Sequence, residues 1–386
     1  MKVGIIGCGK IADQHAEQML RIPGCEIAAV CDSEELMAKQ LHERYPVKYY
    51  FRETGRLLDA VGPGGVVHIT TPPMSHYDLG MSCLEAGCHV YIEKPFTVNA
   101  MEAAALIRKA EEKDLKITAG HNAQFTHAAC RMRELVRSGY LGGPPVHMEA
   151  YYCYTLGDPA YAKAMLGDSG HWVRKLPGKL LHNIISHGIS KIAEFLPGKN
   201  PTVIAHGFPS QLLQSIGEKN IVDELRVIID DGNEVTAYFT FSTQMTPKLH
   251  QLRLYGPENA LVVDDDHQTL IRMKGAKYKS YLDQFIPPMQ LAKEYSTNCW
   301  FNVKKFLKRD FHTNYGMKIL IESFYQSVKG EAPVPIPYRE ILLTTTIMDD
   351  IFSQIQKADS VSRSLSTVTG GLPGSNEGEV VLESKA

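Results

Sequence analysis

The chain has 386 residues, a formal net charge of −2 at pH 7 and 44% hydrophobic residues. This length accommodates two domains with separate cores, and the near-neutral charge gives no general reason to expect a nucleic-acid partner. The eight cysteines form no CxxC pair or compact framework, which predicts reduced thiols in a cytoplasmic protein. We find no secretory signal and no run of 18 apolar residues, so we expect neither secretion nor a membrane span.

The chain begins with the pattern of a buried strand followed by a glycine-rich turn. The apolar residues between positions 3 and 6 predict a parallel strand that is covered on both faces. Gly7, Gly9 and Ala12 then occupy the small-residue positions of the G-x-G-x-x-G/A dinucleotide fingerprint. In that fingerprint the residues permit a tight turn, close approach of a pyrophosphate, and close packing of the next helix. The structural alternative is an ordinary strand–turn–helix unit.

The cofactor phosphates are expected at the start of the helix that follows this turn. Free N–H groups near Lys10 and Ile11, together with the helix macrodipole, favour an anion there. A second apolar strand, 26–30, leads to Asp32, which lies 20 residues beyond Ala12. This spacing is typical of the carboxylate that binds the adenosine ribose of the cofactor.

The charges around Asp32 predict NAD rather than NADP as the cofactor. A carboxylate at the ribose would repel the 2′-phosphate of NADP, and Glu34 and Glu35 add negative charge beside it. Positions 33–36 contain no cation that could bind the phosphate, and the nearest one along the chain is Lys39.

Predicted strands and helices alternate through residues 1–122. The strands are expected near residues 2–6, 26–30, 47–51, 65–70, 89–92 and 116–119. Ser33, Ser75 and Asn99 stand where they could cap three of the helices. Strict alternation predicts a doubly wound parallel sheet of the Rossmann type, with its ligand crevice at the carboxyl ends of the strands.

The pattern changes in residues 123–357. A helix near 127–138 and a tyrosine-rich strand at 146–155 precede a hairpin at 224–242 and a strand meander that ends near 273. A helix over 338–357 follows. We therefore expect an α+β domain with a mostly antiparallel, open sheet. Residues 358–386 are rich in Ser, Thr, Gly and Glu and are predicted to be a disordered tail.

The open face of this second sheet is expected to form a subunit interface. Val235, Ala237, Phe239 and Phe241 alternate along one strand and require burial, which we assign to contacts between subunits. We expect a homodimer or a homotetramer.

Four further motifs carry a resemblance to a known family. They are Thr71-Pro72 with His76, Glu93-Lys94-Pro95, His121-Asn122 with Phe125, and the later His187. With the fingerprint, they make the chain resemble the glucose–fructose oxidoreductase / inositol dehydrogenase / MocA (Gfo/Idh/MocA) family from residue 1 to about 355. Members of this family are mostly NAD(P)-dependent oxidoreductases that act on sugars, sugar nucleotides or cyclitols.

The resemblance implies a role for each matching residue. Lys94 is implied to be the catalytic or substrate-orienting lysine, Pro95 to follow a cis peptide, and His187 to face the substrate carbon. The cofactor pocket is implied to include Thr71, Pro72, His76, Glu93 and Lys94. The family often carries Asp four residues before the histidine, whereas this chain has Asn183, whose amide cannot act as a base.

The residues themselves support this chemistry. Lys94 lies on a turn at the carboxyl end of a predicted strand, where desolvation and the nicotinamide charge would lower its pKa and favour a base. His187 lies four residues after Asn183, so we expect both side chains on one helix face. A histidine there could transfer a proton or polarise a carbonyl group. The structural alternatives are a solvated lysine and a packed core histidine.

The sequence thus predicts an NAD-dependent oxidoreductase acting on a sugar-like hydroxyl, with no metal site. The alternatives are a non-catalytic NAD or sugar sensor on the same scaffold, and a redox-assisted lyase or glycosidase. The segment 299–309, rich in aromatic residues and lysines, could contact an anionic membrane, but we favour a covering helix or a subunit contact.

Overall fold

The computed structural model describes residues 1–155, 170–218, 220–232, 234–275, 277–311 and 314–369; for 358–369 it describes only the backbone. The first 120 residues fold as alternating strands and helices, as predicted. The strands are β1 (Lys2–Ile6), β2 (Glu26–Cys31), β3 (Tyr49–Phe51), β4 (Val66–Ile69), β5 (His89–Ile92) and β6 (Ile117–Ala119). The helices are α1 (Lys10–Met19), α2 (Glu35–Arg44), α3 (Thr54–Val61), α4 (His76–Glu85) and α5 (Ala100–Glu112).

These strands form one parallel sheet in the order β3-β2-β1-β4-β5-β6, which is the doubly wound Rossmann arrangement. The central strands β4 and β5 are almost entirely buried because helices cover both faces of the sheet. Strand order reverses between β1 and β4, so the ligand crevice opens at the carboxyl ends of these two strands. This confirms the predicted fold of the first domain.

The second domain is built on a mixed sheet. Its strands are β7 (His147–Thr155), β8 (Thr202–Phe208), β9 (Glu224–Asp230), β10 (Thr236–Ser242), β11 (Gln244–Tyr255), β12 (Asn259–Asp264) and β13 (Thr269–Lys274). Among the described strands the order is β13-β12-β11-β7-β10-β9-β8. The neighbouring pairs are antiparallel except β7 and β10, which run parallel. The prediction of a mostly antiparallel sheet is confirmed, although β8 was not predicted.

Helices cover one face of this sheet. They include α6 (His127–Arg137), α7 (Lys179–Ile184), α8 (Ser186–Ala193), α9 (Gln211–Ser215), α10 (Leu282–Leu307) and α12 (Tyr338–Thr369). A further helix of the described ranges, α11 (Tyr315–Val328), packs against the first domain instead. No helix within the described ranges is long and apolar enough to cross a membrane. The helix α12 continues to Thr369, so residues 358–369 are helical where we predicted a tail. The rest of the predicted tail lies outside the described residues.

The residues that we assigned to a subunit interface lie in the core of this chain. Val235, Ala237, Phe239 and Phe241 are at most 4% exposed. A Cβ added at Gly188 of α8 would lie 2.3 Å from the Phe239 ring, so this helix packs directly on that face. The interface prediction was wrong for these residues because the covering helices come from the same chain.

The opposite face of the second sheet is the exposed one. Ile204, Ile228 and Tyr238 form a cross-strand row on β8, β9 and β10, and they are 58%, 45% and 50% exposed. Three adjacent apolar side chains on an open sheet are an apolar surface that a second copy could cover.

Helix α11 returns to the first domain. Its residues Met317, Leu320, Ile321, Phe324 and Tyr325 are buried in the core beneath the Rossmann sheet. The predicted boundary at residue 122 therefore separates the two sheets, whereas the core of the first domain needs a helix from much later in the chain.

The segment 299–309 forms the end of α10 and the residues just after it. Buried Asn298 fixes this helix to β13 through two hydrogen bonds of 2.9 Å with the backbone of Leu270. Trp300 and Phe306 are 66% and 67% exposed on the outward side. The helix thus covers the sheet edge with one side only.

Two of the three predicted helix caps are absent. Asn99 accepts a hydrogen bond from the Glu102 N–H, as predicted. Helix α2 begins one residue later than the Ser33 cap requires, after Glu34. The Ser75 hydroxyl donates to Thr71 Oγ1 and to the Pro72 carbonyl, so it fixes the loop after β4 and does not cap α4.

Candidate active site

The glycine-rich turn after β1 is shaped for a phosphate group. Gly7 has φ of +93°, and a Cβ there would lie 2.7 Å from the Thr71 side chain, so the position requires glycine. A Cβ at Gly9 would meet no atom of the described chain within 4 Å. Helix α1 starts at Lys10 without a side-chain cap, which leaves its first N–H groups available to an anion. This turn fits the pyrophosphate of a dinucleotide.

Asp32 is fixed beside this turn by two backbone donors. Its Oδ2 accepts a hydrogen bond of 2.7 Å from the Cys8 N–H, and its Oδ1 accepts one of 2.9 Å from the Glu34 N–H. These bonds hold the carboxylate at the carboxyl end of β2, where the ribose of a bound dinucleotide lies. The geometry fits the predicted role of Asp32.

A cation near Asp32 was missed by sequence reasoning. The Arg52 Nε donates to the Ser33 carbonyl at 3.3 Å, so its guanidinium lies beside the predicted ribose site. We had named Lys39 as the nearest cation along the chain, but its ammonium pairs with Glu43. Arg52 follows β3, and only the pairing of β3 with β2 brings it here.

His76 connects the loop after β4 to the turn after β5. Its Nε2 lies 2.9 Å from the Thr71 carbonyl oxygen, and its Nδ1 lies 3.0 Å from that of Pro95. Both ring nitrogens are thus occupied by the backbone, and burial lowers the pKa of the imidazole. This supports a role in shaping the pocket; the predicted contacts of Thr71, Pro72 and His76 with a cofactor remain predictions.

The Glu93-Lys94-Pro95 turn follows β5 at the same edge of the sheet. The Lys94–Pro95 peptide is cis, as the resemblance implied. Lys94 is partly buried, and its Nζ donates to the Asn183 carbonyl oxygen at 3.0 Å. Burial lowers the pKa of this lysine, and the Glu93 charge opposes the shift. A lysine in this state can lose its proton more easily than a solvated one.

Glu93 is buried at the start of this turn, and its surroundings favour the ionised carboxylate. Burial by itself would raise its pKa, but the hydrogen bond with His15, together with the charge and the backbone N–H of Lys94, outweighs burial, so the pKa lies below its usual value. Its Oε1 lies 2.8 Å from His15 Nε2, and its Oε2 accepts a hydrogen bond of 3.1 Å from the Lys94 N–H. Glu93 therefore fixes the backbone from which Lys94 projects.

Asn183 and His187 lie on two short helices, α7 and α8, which meet at Ile185. The single helix that we expected is thus divided at Ile185. Asn183 contacts Lys94 through its backbone carbonyl. The His187 ring stacks at 5.3 Å on Tyr152 of β7.

The histidines around Lys94 are neutral. Burial is the main reason that the pKa of His187 lies well below its usual value, and the nearby charges of Lys94 and His121 lower it further. Burial also lowers the pKa of His121 to about 4. In both rings Nδ1 is buried and has no hydrogen-bond partner within the described part of the chain. Neutral imidazoles with an unused nitrogen can bind hydroxyl groups.

Residues on the second sheet complete the surroundings. A cavity of about 180 Å³ is lined by Asn122, Tyr152, His250, Asp265 and Asp266, among others. His250 Nδ1 lies 2.9 Å from Asp266 Oδ1, and its ring lies 4.3 Å from that of Tyr152. Sequence reasoning missed both residues: the tyrosine-rich pattern of β7 was a signal for Tyr152 that we did not use, and nothing local in the sequence pointed to His250. In the described ranges, no group of His, Cys, Asp or Glu is arranged to hold a metal ion.

Residues 1–121 match the family model described as an oxidoreductase family with an NAD-binding Rossmann fold (GFO_IDH_MocA). A myo-inositol 2-dehydrogenase of Thermotoga maritima is 26% identical over 146 residues, which cover 38% of this chain and 43% of that protein. A D-glucoside 3-dehydrogenase of Escherichia coli is 33% identical over 143 residues, 37% of this chain and 40% of that protein. The chain thus spans less than half the length of these curated relatives.

Solved structures match over a longer range. The UDP-N-acetylglucosamine 3-dehydrogenase from Acidithiobacillus ferrooxidans has a TM-score of 0.70 at 19% identity, covering 92% of this chain and 98% of that one. The WlbA dehydrogenase from Bordetella pertussis, solved with NADH and UDP-GlcNAcA, has a TM-score of 0.71 at 12% identity, covering 93% and 96%. At these identities the likeness shows that the two-domain fold is shared.

Proposed function

We propose that this chain, whose residues 1–121 match the Gfo/Idh/MocA oxidoreductase family model, is an NAD-dependent dehydrogenase of a sugar, sugar nucleotide or cyclitol. The observation that carries this proposal is the position of Lys94. Its partly buried ammonium follows β5 at the crevice edge of the sheet, near His187 and His121, whose pKa values are lowered mainly by burial. This placement supports an enzyme over a sensor on the same scaffold.

The residues of the first domain would hold the cofactor. The N–H groups after Gly9 would bind the pyrophosphate, and the Asp32 carboxylate would accept hydrogen bonds from the adenosine ribose hydroxyls. When bound, NAD supplies the hydride acceptor at nicotinamide C4. The protein then has to orient one hydroxyl of the substrate and remove its proton.

Lys94 is proposed to perform this proton transfer. Since burial lowers its pKa, a larger fraction of the amine is neutral near pH 8 than for a solvated lysine. The Asn183 carbonyl oxygen accepts one N–H of Lys94, which fixes the direction of Nζ. His187 and His121 are neutral and can bind the substrate hydroxyls without competing for the proton.

The proposed substrate class rests on the relatives and on the polar lining of the site. The relatives are named as dehydrogenases of inositol, a glucoside and UDP-N-acetylglucosamine. All of these substrates carry several neighbouring hydroxyls. The imidazole, carboxylate and phenol groups around Lys94 and the adjoining cavity match such a substrate.

We also propose a homo-oligomer in the cytoplasm. The exposed row on the second sheet supports contacts between subunits. All eight cysteines lie in described ranges and are free thiols, which suits a reducing compartment.

The direct test is NADH formation at 340 nm with a panel of inositols, glucosides and UDP-sugars. We expect turnover with at least one class. The control is Lys94→Met, which keeps the length of the side chain and removes the amine. Wild-type protein that binds NAD in a titration yet turns over none of the panel would favour the sensor, and equal activity of Lys94→Met would refute the role of the lysine.

A further inference from the structure

A series of buried hydrogen bonds leads from the Glu93-Lys94-Pro95 turn through the core of the first domain. Glu93 Oε1 lies 2.8 Å from His15 Nε2, and His15 Nδ1 lies 2.9 Å from His68 Nδ1. His68 Nε2 lies 2.9 Å from the Tyr325 hydroxyl. The four residues come from the turn after β5, from α1, from β4 and from α11, and none is more than 5% exposed.

We propose that His15, His68 and Tyr325 are positioning residues that hold the Glu93 carboxylate in place and ionised beside Lys94. This inference rests on the proposed role of Lys94 in the reaction. It assigns a task to three buried polar side chains in a core that is otherwise largely aliphatic, and it ties the active-site turn to a helix more than 200 residues later in the chain.

When the His15 and His68 rings each carry one proton, the hydrogen bonds can run in only one direction. The carboxylate can only accept, so His15 donates through Nε2 and must accept at Nδ1. His68 then donates through Nδ1 and accepts at Nε2, which requires the Tyr325 hydroxyl to donate. Tyr325 therefore supplies the donor that the accepting nitrogen of His68 requires, although it lies three hydrogen bonds from Glu93.

These hydrogen bonds matter because His15 is the side-chain donor to Glu93 among the described residues, beside the charge and the backbone N–H of Lys94. The Glu93 Oε2 accepts only the Lys94 backbone N–H among the described residues. The titratable groups that face it are His15 on α1, Lys94 on its own turn, His121 after β6, His76 on α4 and Tyr91 on β5. Burial keeps His121 and His76 mostly neutral, and it keeps the Tyr91 phenol protonated. His15 is thus the side-chain donor on which the carboxylate depends.

Loss of the His15 donor should change the charge beside Lys94. A buried carboxyl without this hydrogen bond takes up a proton at higher pH. The neutral acid no longer stabilises the lysine ammonium, so the lysine loses its proton at lower pH as well. Each unit of such a shift changes the ratio of the protonated to the unprotonated form tenfold.

The experiment is the titration of Glu93 in the protein without cofactor, followed by ¹³C NMR of labelled glutamate carboxyl groups. Glu93→Gln identifies the signal. In the wild type we expect this carboxyl to stay ionised from pH 8 to below pH 5. In His15→Leu we expect its midpoint about one unit or more higher, and in His15→Gln, whose amide can donate to the same oxygen, a midpoint closer to the wild type.

A matched pair of tyrosine variants tests the last hydrogen bond of this series, between His68 and Tyr325. Tyr325→Phe removes the donor to His68 and should raise the Glu93 midpoint. Tyr91→Phe is the control, since its ring stacks at 4.6 Å on His68 but its buried hydroxyl has no hydrogen-bond partner among the described residues. An unchanged Glu93 midpoint in both His15→Leu and Tyr325→Phe would overturn the proposal, as would equal shifts in the two tyrosine variants.

These measurements need no substrate, so they separate the two proposals. If Glu93 titrates as expected but no sugar is oxidised, the positioning role of His15, His68 and Tyr325 is supported and the dehydrogenase assignment fails. If a substrate is found, the rise of its oxidation rate with pH should occur at lower pH in His15→Leu, and a variant that is merely less stable would not move it. If His15→Leu does not fold, Tyr325→Phe and the wild-type titration still decide the question.

Discussion

Replacement of Asp32 by alanine would test how the site selects its cofactor. The carboxylate is held 2.7 Å from the Cys8 N–H and 2.9 Å from the Glu34 N–H, at the end of β2. In this position it can accept hydrogen bonds from both ribose hydroxyls of NAD. In NADP one of these hydroxyls carries a phosphate, so two anions would face each other.

The size of the repulsion follows from this geometry. Unit charges about 4 Å apart, at an effective dielectric constant near 20, repel by roughly 4 kcal/mol, which corresponds to about a thousandfold in affinity. Asp32 is partly exposed, and the Arg52 guanidinium lies close by at the Ser33 carbonyl, so solvent and this cation reduce the effect. We therefore expect NAD to bind at least about tenfold more tightly than NADP.

Asp32→Ala should weaken NAD binding by about 10- to 100-fold, since hydrogen bonds to a charged group contribute about 1.5–3 kcal/mol. The preference for NAD over NADP should become smaller, because the variant no longer repels the 2′-phosphate of NADP while Arg52 remains. Arg52→Gln in the Asp32→Ala background should then weaken NADP binding specifically.

The assay is fluorescence titration with NADH and NADPH at fixed ionic strength. Glu35→Gln is the matched control, because it removes an exposed negative charge at the start of α2 without touching the two backbone bonds of Asp32. Wild-type protein that binds NADPH as tightly as NADH would refute the reasoning, since the carboxylate could not then face the ribose.

Three further predictions concern the catalytic groups, stability and assembly. The oxidation rate should rise with pH through the pKa of Lys94, which burial places below its usual value. An oxidation rate that falls as the pH rises would contradict the role of Lys94 as a base. His187→Ala should lower kcat. Burial, with the Glu194 charge, raises the pKa of Glu340 to about 7, so ionisation destabilises the fold as pH rises above the unfolded-state pKa near 4.5. Glu340→Gln should therefore stabilise the protein by about 1–3 kcal/mol at pH 8 and by much less at pH 5, as measured by urea unfolding, and equal gains at both pH values would contradict this. Light scattering should show an oligomer that Tyr238→Glu dissociates, and a wild-type monomer at micromolar concentration would exclude the open sheet face as an interface.

The first domain could be predicted because its signals are local. The apolar strand, the glycines and the carboxylate at Asp32 lie within one β-α-β unit, and steric and hydrogen-bonding rules fix their relative positions. The cis peptide before Pro95 was implied by the family resemblance that the short Glu93-Lys94-Pro95 motif carries. The same reasoning failed at Ile185, where the change from one short helix to the next leaves no strong mark in the sequence.

The second domain shows what periodicity cannot specify. Alternation in residues 235–241 correctly indicated that one face of β10 is buried. A period of two identifies the buried face but not the layer that covers it, and the covering helices α8 and α12 come from distant parts of the chain. The periodicity therefore gave no support for assigning that face to a partner subunit.

The features that control charge in the site are the least visible in the sequence. Arg52 reaches the ribose site only because β3 pairs with β2, and Tyr325 reaches His68 only because α11 crosses back beneath the first sheet. No periodic pattern in the sequence indicates that the two residues of either contact lie close together. A sequence can therefore indicate a candidate catalytic lysine, whereas the groups that affect its protonation state follow only from the packing of complete elements.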